Sequence, residues 1–133
     1  MMLDIESIHT ATKELVMPFI KRDAAKTEDA YPGVPRAALV DTNQGAKSLF
    51  LGHLDVVPGA AIGTHIHPDS EEAMVIVDGE LEAILGDETT TVKAGDTVLA
   101  PAGVKHGFVN RSAAQASLLA IFPKTEFQRV PVE

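Results

Sequence analysis

The chain has 133 residues, no cysteine and no tryptophan, and 11 Lys plus Arg against 19 Asp plus Glu, a net charge of −8. One domain accommodates that length; disulfides and thiolate metal sites are excluded, so any metal must be held by nitrogen and oxygen. The acidic balance, with no basic block, argues against nucleic acid as a partner.

The opening MMLDIESIHT carries acids where a secretory leader would carry Lys or Arg. No apolar run approaches the ~18 residues of a membrane span. A soluble, cytoplasmic protein with no membrane partner is expected. Residues 3–20 space Leu3, Ile8, Ala11, Leu15 and Phe19 as a helix would, with Asp4 as a possible N-cap and Pro18 as a stop; an extended arm fits equally well. Residues 21–35 are polar, end in Pro32-Gly33-Val34-Pro35, and are read as a surface connection.

From Arg36 the pattern changes to short apolar runs cut by Gly, Pro, Asn and Asp. Strands are predicted over 37–42, 47–57, 62–67, 71–78, 80–85, 89–93, 96–100, 104–110 and 116–122, a spacing that means an all-β sandwich or barrel. The predicted organisation is an N-terminal arm and loop over 1–35, a barrel over 36–123 and a C-terminal tail over 124–133.

Within this frame one stretch carries chemistry. His65 and His67 stand two apart in a predicted strand and so face the same way. Pro68, Asp69 and Ser70 supply turn chemistry, and the returning strand brings Glu72 alongside. His106 follows the Pro101-x-Gly103 turn on another strand. Three imidazoles and one carboxylate make a set suited to a divalent transition metal. Strand parity puts Met74, Ile76, Val104, Phe108 and Asn110 on the inward side with these groups, and Val75, Val77 and Val109 outward, where they need a cover. His9 is read as solvated. His53 and Asp55 sit in a strand apolar on both faces, so cavity and surface are both open to them. Arg36 is read as exposed in preference to binding an acidic substrate, Lys105 as outward, and Tyr31 as a loop residue.

These residues resemble the cupin family. The form G-x5-H-x-H-x4-E-x6-G is filled by Gly59, His65, His67, Glu72 and Gly79, and G-x5-P-x-G-x2-H-x3-N by Gly95, Pro101, Gly103, His106 and Asn110. The resemblance covers roughly residues 37–123. It implies a double-stranded β-helix or jelly-roll barrel with His65, His67, Glu72 and His106 on one divalent ion (Fe, Mn, Ni, Zn, Co or Cu), Asn110 as a structural residue near the site, and a homodimer. Four protein ligands on a six-coordinate ion leave two positions open, which suits a small metalloenzyme of dioxygenase, decarboxylase, lyase or isomerase type acting on a small oxygen-bearing molecule. The alternative is a non-catalytic, metal-containing module that binds or senses a small molecule; metal-free sugar epimerisation ranks last.

Overall fold

Short apolar runs separated by glycine and proline turns fold here into antiparallel strands stacked as two sheets. The computed structural model describes Leu15 and residues 17–132. Among these are eleven strands: β1 (Thr27–Tyr31), β2 (Val34–Val40), β3 (Phe50–Val56), β4 (Ala61–Ile66), β5 (Glu72–Asp78), β6 (Glu80–Leu85), β7 (Glu88–Lys93), β8 (Thr97–Ala100), β9 (His106–Val109), β10 (Ala116–Phe122) and β11 (Val130–Pro131). One sheet has the order β1-β2-β3-β10-β5-β8 and the other β11-β4-β9-β6-β7, a jelly roll.

Every other side chain of the central strands enters the space between the sheets. Leu54, Val56, Met74, Ile76, Leu81, Phe108, Leu118 and Phe122 are buried there, each contributing on the order of 1.5–3 kcal/mol of burial. The parity reading holds on β5: Glu72, Met74 and Ile76 are buried, and Val77 on the outer face is 43% exposed. Chain reversals use glycine where only glycine fits. At Gly79, between β5 and β6, φ is +74° and a Cβ would stand 2.7 Å from the Gln115 carbonyl oxygen, so a side chain is opposed by both backbone conformation and space.

Two strands were not apparent from the sequence. Residues 21–35, read as a surface connection, contain β1, which pairs with β2 from Thr27↔Ala37 to Tyr31↔Val34. Its first three residues are exposed, so it carries no apolar run to announce it. The two-residue β11 pairs with β4 through Val130↔Ile66 and Pro131↔His65, an edge position that proline tolerates. The possible helix over 3–20 and His9 lie largely outside the described residues; over 17–20 there is no regular structure.

Candidate metal centre

β4 and β9 are antiparallel neighbours whose register sets His65 opposite His106. Glu72 opens β5 on the facing sheet, and His67 lies one residue past the end of β4. The two sheets thus approach the same point from opposite sides. All four residues are buried: His65 is 5% exposed, His67 3%, Glu72 6% and His106 2%.

A local irregularity makes this possible. Ile62 pairs with Phe108 while His65 pairs with His106, so three steps along β4 match two along β9. In an unbroken strand, Ile62 and His65 would face opposite sides. The extra residue, a β-bulge, resets the alternation, so Ile62 packs in the core while His65 and His67 turn to the centre. Gly107 is the strand partner that admits the bulge: a Cβ there would stand 2.8 Å from the Ile62 carbonyl oxygen and 3.1 Å from Thr64 backbone atoms.

Each imidazole is oriented by the main chain. His65 Nδ1–H donates to the Gly63 carbonyl at 2.6 Å, His67 Nδ1–H to that of Gln128 at 2.6 Å and His106 Nδ1–H to that of Val104 at 3.0 Å. A neutral ring with its proton so used presents an Nε2 lone pair to the interior. Glu72 Oε1 lies 2.8 Å from His106 Nε2 and 3.3 Å from His67 Nε2. Lone pairs this close repel unless a proton or a cation lies between them. One donor atom from each residue lies within 4.8 Å of all the others. An ion bound at about 2.1 Å from each donor would place them roughly 3 to 4.2 Å apart. The four residues therefore fit as a group that could hold a divalent ion.

Protonation follows the same geometry. Burial pushes the His65 ring down to about 4 from its ordinary 6.5, outweighing its hydrogen bond to Gly63. For His67, burial acts downward, but the hydrogen bonds to Glu72 and Gln128 and the Glu72 charge outweigh it and leave the ring raised. Burial alone would raise Glu72; hydrogen bonds from His106 and His67, with their charge, hold it below its ordinary value.

The last residues of the chain complete the site. Phe127 stacks on Phe122 with centroids 3.7 Å apart and planes 8° from parallel. His67 meets both rings edge-on, at 5.4 and 4.9 Å. The segment is pinned to the β4–β5 turn, where Asp69 accepts from the Gln128 N–H at 3.0 Å and from Lys124 Nζ at 3.3 Å. Sequence reasoning gave Phe127, Gln128 and Arg129 no part in the site. Gln128 acts through its carbonyl, which no side-chain pattern reveals, and its partner is 61 positions away.

Beside the four residues is a cavity of about 60 Å³ walled by Leu54, Ile62, Met74, Phe108, Leu118 and Ala120. That is several times the roughly 10–15 Å³ a single water needs. Tyr31, Arg36 and Arg129 also line it. Arg36, read from sequence as exposed, is indeed exposed, yet its side chain reaches the cavity, because Arg36 pairs with the core residue Leu54 and shares its inward face. His53 does not line the cavity: it is half-buried on the outer face, with Nδ1 3.8 Å from Asp55 Oδ1. Lys105 points outward toward Asp87, 3.9 Å away. Asn110 is structural but does not line the cavity. Its Nδ2 donates to the Val56 and Ala114 carbonyls and its Oδ1 accepts from the Ser112 N–H and hydroxyl, tying the 110–116 loop to β3.

A jelly-roll barrel enclosing three histidines and a glutamate beside an apolar hollow defines a class of small β proteins with a buried residue group that could hold a metal ion. The chain belongs to the cupin family: the family model described as Cupin domain matches residues 52–122, a span that holds all four residues. It is similar to Protein SchB of Streptomyces halstedii, 38% identical over 87 residues, covering 65% of this chain and 63% of SchB. It is also similar to the tetracenomycin polyketide synthase protein TcmJ of Streptomyces glaucescens, 28% identical over 105 residues, covering 76% of this chain and 70% of TcmJ. Among solved structures, the polyketide cyclase RemF from Streptomyces resistomycificus superposes with a TM-score of 0.77 at 25% identity, over 88% of this chain and 86% of RemF. No helix among the described residues is long and apolar enough to cross a membrane.

Proposed function

We propose that the chain binds one divalent transition-metal ion through His65, His67, Glu72 and His106 and acts as a small metalloenzyme on a compact oxygen-bearing organic molecule. The observation that carries this is the convergence of three main-chain-oriented imidazoles and a carboxylate, all buried, on the wall of an apolar cavity. A bound ion would supply Lewis acidity toward a carbonyl or enolate oxygen, or redox chemistry if it is iron. Glu72 supplies a negative charge that favours a cation. Leu54, Ile62, Met74 and Phe108 exclude bulk water and sharpen every electrostatic interaction at the centre. The description of RemF as a polyketide cyclase favours carbonyl chemistry of the cyclase kind over oxygen insertion.

The test is metal analysis of the purified protein, with His65→Ala and His106→Ala, followed by anaerobic reconstitution with Fe(II), Mn(II) or Ni(II) and assay against small β-diketones for substrate loss and oxygen uptake. About one ion per chain, lost in both variants, and turnover by the loaded protein are expected. Unchanged metal content in both variants removes the site; saturable binding without turnover across the panel replaces the enzyme with a binding module.

The outer face of the six-stranded sheet presents Val77 and Leu99, 43% and 54% exposed, beside half-buried Val75, Leu119 and Ile121. A second copy applied to the same face would cover this patch on both chains. A homodimer by light scattering, reduced to monomer by Leu99→Asp, is the expected result.

A further inference from the structure

We infer that the mouth of the cavity is an anion clamp, formed by Arg36 and Arg129 around Tyr31, which selects a ligand bearing a carboxylate next to the oxygen that meets the centre. The inference rests on the metalloenzyme reading above. It starts from position: Tyr31 comes from β1, Arg36 from β2 and Arg129 from the residue before β11, and all three line the same hollow as the four buried residues. All three also lie outside the span matched by the family model. The centre therefore lies within the matched span, and the mouth lies wholly outside it.

Charge supplies the next step. The chain as a whole is strongly acidic, with a net charge of −8. Among the described residues neither Arg36 nor Arg129 has a carboxylate within ion-pair distance, and unlike the other unpaired cations both line this hollow. Two guanidiniums whose charge no carboxylate among the described residues offsets, at the rim of an apolar hollow, raise the potential inside it, because the walls screen poorly. Three neutral imidazoles, one carboxylate and a divalent ion leave the centre with roughly one positive charge, so rim and centre together favour an anion. A neutral ligand would leave those charges uncompensated.

The rim is also held in shape. Arg129 Nε–H donates to the Tyr31 hydroxyl at 2.6 Å, and its guanidinium carbon sits 4.9 Å from the Tyr31 ring centroid. That contact uses one of the five N–H donors of the fork and leaves four for a ligand, in the planar arrangement that matches a carboxylate. Burial raises the Tyr31 hydroxyl, against the lowering effect of Arg129, so the phenol stays protonated and adds no negative charge to the mouth. The narrow hollow beside the centre favours a compact acid.

Acetoacetate and acetoacetamide have nearly the same shape and the same enolisable ketone, and differ in charge. Calorimetric titration of each into the metal-loaded and the metal-stripped protein, and into Arg129→Gln, Arg36→Gln and the double variant, isolates the clamp. Tyr31 is the sole tyrosine in a chain without tryptophan, so its emission reports occupancy of the mouth directly. We expect acetoacetate to bind about tenfold or more tightly than acetoacetamide and to change the Tyr31 emission. Each single variant should shrink the preference several-fold and the double variant abolish it, with metal content unchanged. A preference that survives in metal-stripped protein supports the clamp even if the metalloenzyme reading fails. Equal affinities, no binding of either compound, inorganic phosphate binding as tightly as acetoacetate, or a preference unmoved in the double variant would each overturn it.

Discussion

Replacing Gly107 with alanine tests whether the β4 bulge is what aims the histidines. The added Cβ would lie 2.8 Å from the Ile62 carbonyl oxygen, about 0.5 Å inside the 3.3 Å at which carbon and a carbonyl oxygen ordinarily meet. Both neighbours are backbone, so relief requires the bulge itself to move by a similar amount. Overpacking of this kind costs about 1–3 kcal/mol, against up to about 1 kcal/mol gained from a stiffer unfolded chain, so the clash wins. A shift near 0.5 Å is also the tolerance of a metal site, and metal affinity should fall about tenfold or more. Gly63→Ala is the control, because it lies on the same bulge and its Cβ would meet nothing within 4 Å. Denaturant unfolding of the metal-free proteins gives the stability change, and chelator competition gives the affinity. If G107A stays within 0.5 kcal/mol and twofold of the parent, or if G63A suffers equally, the bulge does not position His65 as argued.

Three further outcomes are expected. Ending the chain after Pro123 removes the carbonyl that fixes His67 and the Phe127 ring against it; chelator competition should show metal affinity down by roughly 10–100-fold, and an undiminished affinity would make that segment dispensable. In the metal-free protein, His65 lies below its ordinary 6.5, so its contribution to stability is complete above pH 6.5 and is lost as the pH falls toward about 4. His67, raised, acts in the opposite sense: its contribution is present below pH 6.5 and is lost as the pH rises through its folded value. Imidazole NMR signals should show His65 neutral down to about pH 4 and His67 titrating above 6.5, and metal binding near neutrality should release the His67 proton; the reverse order of titration would contradict the geometry. Asn110→Ala removes a side chain with four hydrogen bonds and should cost roughly 2–4 kcal/mol in denaturant unfolding, while folded protein keeps its metal content.

The parts of this molecule that could be read from sequence were those written in local pattern. The barrel strands announced themselves because each buries one face and most end at a glycine or proline turn, and the spacing of His65, His67, Glu72 and His106 pointed four side chains toward one place. The bulge between Ile62 and His65 left no such trace: a single extra residue is invisible until the partner strand is known. β1, with the sequence Thr-Glu-Asp-Ala-Tyr, lies at a sheet edge with its first residues in solvent and so lacks an apolar period. Residues that meet across long separations were illegible for the same reason, as with Arg129 and Tyr31, 98 positions apart. Arg36 is exposed, as its sequence setting suggests, and it also lines the cavity, because at a cavity rim the two go together.

All three ring protons at the centre end on peptide oxygens, of residues 63, 104 and 128. A peptide oxygen is supplied by whichever amino acid occupies the position, so exchanges at those positions that spare the strand path would leave the imidazoles aimed as before. The aiming apparatus is thus insulated from much side-chain change, whereas Tyr31, Arg36 and Arg129 act through their side chains and alter with every exchange. An engineer seeking a new ligand could rework those three sites while the inner geometry carries over intact.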